Sequence, residues 1–218
     1  MSNIENIVAA YRESFALNGD SPSAVLCPKG RQNIRFDVLT SEIKSDRFTI
    51  LDFGCGLGHF YEYLQDRFPL CDYHGVDIVP EFIDAARSKF GDRARFEFAS
   101  DTYEPVQLYD YVFVSGTFNL KYLNVEPDNT DYILGRIKSL FGKTRHIMTC
   151  DFMSTNVDFR QPDAFHMDPA FLTSHVSRSL TRRFKLRHDY MPYEFAVILY
   201  QEDAILRPDN VFTVERTQ

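Results

Sequence analysis

The sequence lacks paired cysteines and tryptophan. Its 218 residues include four cysteines, Cys27, Cys55, Cys71 and Cys150, and no tryptophan. The cysteines form no C-x-x-C pair, so the sequence indicates neither a structural zinc site nor a disulfide framework. Histidine and carboxylate residues show no cluster with metal-ligand spacing either, and we therefore expect no bound metal.

Long hydrophobic runs are also missing. No apolar stretch approaches the ~20 residues that a membrane-spanning helix needs. Residues 1–5, MSNIE, lack the positive charge and apolar run of a secretory signal. We therefore expect a cytoplasmic protein with no membrane partner, and the sequence does not indicate its oligomeric state.

Positive charge is scarce overall. The chain has 24 Lys and Arg against 31 Asp and Glu, a net charge of −7. This balance argues against a broad nucleic-acid interface, which needs a basic face. One basic segment is typical of a solvated strand edge, with an RNA-binding surface as the alternative. Its cations are Arg178, Arg182, Arg183, Lys185 and Arg187.

Three of the ten glycines lie in one short segment. In residues 49–60, TILDFGCGLGHF, an apolar run ends in Asp52 and is followed by Gly54, Gly56 and Gly58. This pattern predicts a strand, a tight turn that approaches a ligand closely, and a helix start with free N–H groups. A dinucleotide fingerprint, G-x-G-x-x-G, would place its third glycine at the position of His59.

Three more strand ends follow. Gly75-Val76-Asp77-Ile78 indicates a strand ending in Asp77, about the distance from the glycines expected for a ribose-binding carboxylate. Predicted strands 94–99 and 109–115 also end in polar residues. Together with the glycine turn, these segments over residues 48–152 resemble the class I S-adenosylmethionine (SAM) dependent methyltransferases.

The resemblance implies SAM as cofactor and S-adenosylhomocysteine as product. Asp52 and the three glycines would hold the methionine part, Asp77 the ribose, and Ile78 would pack on the adenine. Ser100 and Asp101 would bond the adenine amine. The alternatives are a helix cap for Asp77 and a solvated loop or cap role for Asp101. For Asp52 the alternative is hydrogen bonding to backbone N–H groups of its own turn. The implied cofactor-binding set is Arg31, Asp52, Phe53, Gly54, Gly56, Gly58, Asp77, Ile78, Ser100, Asp101 and Ser115.

Alternating strands and helices predict an α/β fold with helices on both faces of a parallel sheet. The resemblance extends this to a three-layer αβα Rossmann-like sandwich with seven strands. Its last two, 183–190 and 194–201, would form an antiparallel hairpin because their connection is short. We predict one domain, with a helical cap (1–46), a cofactor-binding core (47–152), and a substrate lid with terminal strands (153–218). The other predicted strands are 48–53, 72–77, 94–99, 109–115 and 145–151, and the predicted helices are 3–17, 31–44, 57–67, 80–90, 129–141 and 168–180.

Candidate catalytic residues follow from the chemistry that the resemblance implies. Methyl transfer mainly requires an oriented acceptor, and sometimes a base. Asn119 could orient an acceptor from the loop after strand 109–115. His166 and His188, like His175, are candidate bases because imidazole titrates near neutrality. A turn role for Asn119 and structural roles for the histidines are the alternatives.

Residues 28–32, PKGRQ, predict an anion site. Lys29 and Arg31 stand at the start of the second helix, where the helix dipole also favours negative charge. The anion would be the SAM carboxylate or a phosphate on the acceptor. A solvated turn is the alternative.

The loop after strand 109–115 limits the acceptor class. Residues 115–119, SGTFN, lack the N/D-P-P-Y tetrad of DNA amino methyltransferases and the Pro-Cys nucleophile of cytosine-C5 enzymes. We therefore predict transfer to O or N of a small polar acceptor: a sugar, a sugar nucleotide or a phosphorylated group in surface-polysaccharide or metabolite biosynthesis. An RNA methyltransferase and a catalytically silent subunit that supports a partner are the alternatives.

Overall fold

The computed structural model describes residues 3–27, 30–123 and 126–201. Lys29 of the predicted anion site lies outside the described residues. The chain alternates helices and strands after two N-terminal helices. The elements are α1 Ile4–Asn18, α2 Gln32–Thr40, β1 Thr49–Phe53, α3 His59–Arg67, β2 Asp72–Asp77, α4 Pro80–Phe90, β3 Arg95–Phe98, β4 Tyr109–Val114, α5 Glu126–Phe141, β5 Thr144–Ser154, β6 His166–Met167, α6 Pro169–Ser179, β7 Phe184–Arg187 and β8 Glu194–Tyr200, with short 3-10 helices at Pro22–Val25, Gly91–Arg93 and Thr117–Asn119.

The strands form one mixed sheet in the order β3-β2-β1-β4-β5-β8-β7. The pairs from β3 to β5 are parallel, and β8 runs antiparallel to both β5 and β7. This confirms the predicted α/β fold and its antiparallel hairpin. An eighth strand, the two-residue β6, was not predicted and pairs parallel to the end of β5.

Strand order reverses at β1. The chain runs outward from β1 to β2 and β3, then returns to place β4 on the other side of β1. The connections on the two sides of β1 therefore run in opposite directions across the sheet. This arrangement opens a crevice beyond the carboxyl ends of the parallel strands, and ligands of such sheets bind there. The fold therefore places the ends of β1, β2 and β4 around one position.

Helices cover both faces of the sheet. On one face, α5 and α6 bury Ile133, Ile137 and Leu172 in a cluster with the central strands. On the other, α2, α3 and α4 bury a cluster rich in aromatic rings, among them Phe60 and Phe90. These two apolar clusters account for the three layers.

The N-terminal segment packs over the carboxyl end of the sheet. We call α1, the 3-10 helix Pro22–Val25 and α2 the cap. Tyr11 and Phe15 of α1 each pack edge-on against Phe82 of α4, with ring centroids 5.6 Å apart. Arg12 donates to the Glu81 carboxylate at 2.6 Å. Within the cap, α1 is therefore held against α4.

Some observed boundaries differ from the predicted ones. The predicted strand 145–151 extends to Ser154 because β8 and β6 both pair with its final residues. The predicted strand 183–190 is shorter, since β7 ends at Arg187 and the connection to β8 is a longer loop. The predicted helix 129–141 begins earlier, at Glu126, with Pro127 in its first turn, where proline is tolerated.

Within the described part of the chain, none of the helices combines the length and the apolar character needed to cross a membrane.

Candidate active site

A cavity of about 720 Å³ lies between the cap and the carboxyl ends of the strands. This size is within the usual range of small-molecule sites. Most of the residues that the sequence singled out lie in its wall. They are Arg31, Asp52, Phe53, Gly54, Gly56, Asp77, Ile78, Ser100, Asp101, Ser115, Asn119 and His166.

The glycine turn has the geometry that its sequence predicts. Gly54 and Gly56 have φ angles of +84° and +53°, a region that L side chains rarely adopt. The Gly54 and Cys55 N–H groups both donate to the Val76 carbonyl, at 2.8 and 3.0 Å. A Cβ atom on Gly54 would lie 1.9 Å from the Thr117 hydroxyl oxygen. The backbone is therefore exposed to the cavity with no room for a side chain.

Gly58 lies apart from the other two glycines of the turn. It also has a positive φ, +78°, but it is not part of the cavity wall. A Cβ atom there would lie 2.7 Å from the Phe90 ring and 3.0 Å from the Phe96 ring. Gly58 thus lets the start of α3 pack closely on α4 and β3.

Asp77 is buried at the end of β2 and holds the glycine turn in place. Its carboxylate accepts the Gly56 N–H at 2.8 Å and the Val79 N–H at 2.9 Å. Burial raises the pKa of Asp77 to about 6, and the backbone N–H bonds oppose that rise. Each carboxylate oxygen has a second lone pair, so these contacts leave Asp77 able to accept hydrogen bonds from a ligand.

Asp52 is a second buried carboxylate in the wall. The Tyr73 hydroxyl donates to its Oδ2 at 2.5 Å. Burial raises the pKa of Asp52 to about 7, the Tyr73 hydrogen bond lowers it, and the nearby Asp77 charge raises it. No cation of the described residues pairs with Asp52. A buried carboxylate with one donor favours a cationic ligand beside it.

Ser100 and Asp101 follow β3 at the rim of the wall. The Ser100 hydroxyl lies 3.0 Å from the Thr102 hydroxyl, and the Asp101 carbonyl accepts from Tyr132 at 3.4 Å. Within residues 3–27, 30–123 and 126–201, no group donates a hydrogen bond to the Asp101 carboxylate. Ile78 packs against the cap, in a small cluster with Phe82.

A second polar group surrounds Asp151 at the end of β5. Asp151 is fully buried and accepts the Ser115 hydroxyl at 2.9 Å and the Gly116 N–H at 2.8 Å. Burial raises its pKa. Asn119 is buried beside it, and its side-chain oxygen accepts the Met153 N–H at 2.6 Å. The Asn119 amide is therefore engaged in fixing the loop after β4 to β5.

Arg35 and Glu194 form a buried ion pair across the cavity wall. Two guanidinium nitrogens of Arg35 donate to the two Glu194 oxygens, at 2.6 and 2.5 Å. The pair joins α2 of the cap to the start of β8. Such bidentate pairs fix orientation strongly. Neither residue was predicted to belong to the site.

Two signals in the sequence could have pointed to these groups. Arg35 lies four residues after Arg31, on the same face of a helix. Glu194 is an acid at the start of the apolar run 194–200, and Asp151 is an acid at the end of the predicted strand 145–151. An acid in such a position is costly to bury unless a partner or ligand compensates it.

The two predicted histidines have different surroundings. His166 lies in the wall, but its Nδ1 contacts the Ser154 carbonyl at 2.8 Å and its Nε2 accepts the Gln161 N–H at 3.1 Å. Both ring nitrogens are thus used within the protein, which favours the structural alternative. His188 packs edge-on against Phe195, 5.9 Å away, and is not part of the cavity wall.

Arg31 lies in the cavity wall at the start of α2. Its guanidinium lies over the Tyr193 ring, 5.4 Å from the centroid. Within the described residues, Arg31 forms no ion pair, in contrast to Arg35. Its charge is therefore available to an anion in the cavity.

The basic segment of the C-terminal region is partly neutralised. Lys185 pairs with Glu42 at 2.5 Å, and Arg187 pairs with Asp189 at 2.7 Å. These contacts fit the predicted solvated strand edge, because paired cations attract phosphates less strongly.

The wall thus suits a ligand with a cationic centre and a hydroxyl-bearing ring. The exposed backbone of the glycine turn, Asp77 and the Asp101 carboxylate supply hydrogen-bonding groups, and Asp52 favours positive charge. SAM carries these features: a sulfonium, a ribose and an adenine amine. The residues present therefore fit SAM, as the resemblance implies.

Comparisons with known proteins agree. Residues 51–142 match the family model described as a methyltransferase domain. Protein Rv1506c of Mycobacterium tuberculosis, whose name describes it as a methyltransferase, is 29% identical over 157 residues, which cover 71% of this chain and 94% of that protein. Malonyl-[acyl-carrier protein] O-methyltransferase of Acetivibrio thermocellus is 38% identical over 93 residues, 41% of this chain and 32% of that enzyme.

Solved structures share the fold at low sequence identity. The DhpI-SAM-HEP complex has a TM-score of 0.67 at 15% identity and covers 90% of this chain and 97% of its own. The plantazolicin methyltransferase BpumL, in complex with a pentazolic desmethylPZN analog and SAH, has a TM-score of 0.61 at 12% identity, covering 91% of this chain and 98% of its own.

Proposed function

We propose that this chain, which belongs to the class I SAM-dependent methyltransferases, transfers the methyl group of SAM to an oxygen or nitrogen of a small anionic acceptor. The observation that carries the anionic acceptor is Arg31, a cation without an acidic partner in the described residues, in the wall of the cavity that contains Asp52 and Asp77.

The cofactor-binding roles of the wall residues remain those proposed from the sequence, with two changes, at Arg31, which is now assigned to the acceptor, and at Gly58. Asp52 and the backbone at Gly54 and Gly56 would hold the methionine part, and Asp77 would accept from the ribose. Gly58 acts through packing, as its contacts with Phe90 and Phe96 support. Phe53 and Ser115 complete the floor, where the Arg136 guanidinium lies 5.1 Å from the Phe53 ring centroid.

The chemistry places few demands on the protein. SAM, when bound, supplies an electrophilic methyl group that an acceptor lone pair attacks in line. The protein orients the acceptor and excludes water. A carboxylate acceptor is already ionised near neutrality and needs no base, which is consistent with the engaged nitrogens of His166. Asn119 would act by holding the loop in place.

The relatives' names support an anionic acceptor. Malonyl-[acyl-carrier protein] and trans-aconitate, named in methyltransferases similar to parts of this chain, both carry carboxylates. These enzymes are matched over about a third of their length or less. A sugar, a sugar nucleotide or a phosphorylated group stays a prediction from the sequence. So does a role for the chain as a silent subunit, which SAM-dependent turnover by the purified chain would contradict.

Arg31→Ala tests the anion site. Loss of a charge-assisted contact from a half-buried cation is expected to cost about 1.5 kcal/mol, roughly tenfold in affinity. Arg31→Lys should restore only part of this, because lysine keeps the charge but not the planar two-point contact. Calorimetry with SAM and steady-state acceptor KM identify which ligand is affected.

The matched control is Arg178→Ala, which removes an exposed arginine on α6, outside the cavity. Weaker SAM binding in Arg31→Ala assigns the anion to the cofactor carboxylate, and a higher acceptor KM alone assigns it to the acceptor. Unchanged SAM affinity and acceptor KM in Arg31→Ala would contradict the anion site.

SAM affinity is expected to rise with pH. The pKa of Asp52 is raised to about 7, so its attracting negative charge is lost as the pH falls through that value. Between about pH 6 and about pH 8 the ionised fraction of Asp52 rises roughly tenfold, which limits the gain in affinity to the same factor. Calorimetry across this range measures it, and S-adenosylhomocysteine, which lacks the sulfonium charge, should show a smaller dependence.

Two variants identify the titrating group. Asp52→Asn should leave only the lower titration of Asp77, whose pKa is about 6. Tyr73→Phe removes the donor that stabilises the Asp52 carboxylate, so the midpoint should move to higher pH. A wild-type SAM affinity that does not change between these pH values would be incompatible with Asp52 as the partner of the cation.

A further inference from the structure

Several of the side chains that line the cavity are both apolar and exposed to solvent. Leu26, Phe159 and Tyr193 are 56%, 71% and 39% exposed, and all three line the cavity. They come from the cap, the segment between β5 and β6, and the connection between β7 and β8. We call these three residues the apolar rim. Val157 and Pro162 line the cavity beside Phe159.

The backbone at Leu26 adds a second observation. Leu26 is the one non-glycine residue of the described chain with a positive φ, +56°. A left-handed conformation of this kind favours glycine or asparagine, since a larger side chain is strained there. The sequence nevertheless places an exposed leucine at this position, beside the cavity. Strained residues of this kind concentrate at ligand-binding sites.

The charge at the rim is also specific. The Arg31 guanidinium lies over the Tyr193 ring, one of the rim residues. The carboxylates of Asp163 and Glu194 also line the cavity, and Glu194 is paired with Arg35. A ligand at the rim therefore meets apolar side chains from three segments and the Arg31 guanidinium, which has no ion pair among the described residues and lies against an aromatic ring.

We propose that the acceptor has an apolar body, which binds the rim, and a single anionic group, which binds Arg31. This proposal rests on the proposed methyltransferase function and narrows its acceptor. A bare sugar phosphate would leave Leu26 and Phe159 in water and place hydroxyl groups against them. An aromatic or acyl carboxylate matches both the apolar rim and the cation.

Binding of the fluorescent probe 8-anilinonaphthalene-1-sulfonate tests the proposal. The probe has an aromatic body and one anionic group. We expect saturable one-to-one binding to the 218-residue chain loaded with S-adenosylhomocysteine. Phe159→Ala, Tyr193→Ala and Arg31→Ala should each raise the probe Kd by about fivefold or more. The matched controls Phe171→Ala and Leu70→Ala, exposed residues outside the cavity, should leave it unchanged.

Leu26→Gly separates binding from folding. Glycine relieves the positive φ, so the thermal midpoint should stay equal or rise, while the probe Kd rises. A variant that simply damages the fold would lower the thermal midpoint.

Competition then distinguishes the two acceptor classes. 2-Naphthoate displacing the probe more strongly assigns an aromatic body, octanoate displacing it more strongly assigns an acyl chain, and glucose 6-phosphate should displace it least.

Four outcomes would overturn the proposal. The first two are a probe Kd that the rim variants leave unchanged, and a probe Kd that the two control variants raise as much as the rim variants do. The other two are stronger displacement of the probe by glucose 6-phosphate than by either carboxylate, and a rim variant that converts a dimer to a monomer in gel filtration. The last would assign the rim to a second copy of the chain. Calorimetric SAM binding is measured on the same samples. Its absence in the wild type would contradict the proposed function, whereas normal SAM binding with a failed probe experiment would contradict the rim proposal alone.

Discussion

Gly56→Val is expected to abolish SAM binding, with an affinity loss of more than about 100-fold, while the sheet stays folded. Two effects act together. The φ of Gly56 is +53°, where a β-branched residue is strained, and its N–H donates to Asp77 at 2.8 Å. The added side chain would also occupy the cavity wall. Calorimetry gives the affinity, and circular dichroism reports whether the fold is retained.

Gly91→Val is the matched control. Gly91 also has a positive φ, +57°, and a Cβ atom there would contact nothing within 4 Å. Both variants should lose at least about 1–2 kcal/mol of stability because a side chain is strained at positive φ, but Gly91→Val should bind SAM normally. A Cβ on Gly56 also lies 2.9 Å from Val25 of the cap. The double variant Gly56→Val with Val25→Ala removes that contact, and restored SAM binding in it would mean that the cap, and not the ligand, excludes the side chain.

Asp77→Ala is expected to weaken SAM binding by about 1.5–3 kcal/mol, roughly 10- to 150-fold. The carboxylate would be lost as an acceptor for the ribose. The Gly56 N–H that it holds would lose its partner as well, so the turn itself would be less well fixed. Asp77→Asn keeps one acceptor oxygen and should bind SAM with intermediate affinity.

Asp72→Ala provides the control for this position. Asp72 lies at the other end of the same strand, exposed and remote from the cavity. Its removal should change neither stability nor affinity by more than about 0.5 kcal/mol. Wild-type SAM affinity in Asp77→Ala would mean that the carboxylate serves only as a local cap for the backbone, the alternative considered from the sequence.

The parts of the site that lie within one strand and its following turn could be predicted from the sequence. Gly54, Gly56 and Asp77 fall in this class, because a strand, a glycine turn and a terminal acid leave a local pattern. The mostly parallel sheet with its antiparallel terminal hairpin followed from the alternation of strands and helices together with the family resemblance. Even here the pattern did not reveal the packing around Gly58, whose neighbours Phe90 and Phe96 lie more than thirty residues away in sequence.

The parts that depend on distant pairing could not be predicted. Arg35 and Glu194 are 159 residues apart, and nothing in either neighbourhood indicates the other. The engaged nitrogens of His166 depend on where residues 154–161 return to the sheet. A candidate base can be recognised by residue type, but whether its lone pair is available depends on tertiary contacts that one sequence does not reveal.

The place of β8 has a consequence for the order in which the molecule is built. β8 is the last strand of the described residues, yet it lies inside the sheet between β5 and β7, and β7 pairs only with it. During synthesis β5 therefore keeps an open, apolar edge until β8 has left the ribosome, a state that exposes nascent chains to aggregation. Glu194 at the start of the same strand also holds Arg35 of the cap. The late addition of β8 thus both covers the edge of β5 and supplies the partner of Arg35 in the N-terminal cap. A ribosome-bound chain that stops before β8 should therefore bind neither cofactor nor acceptor.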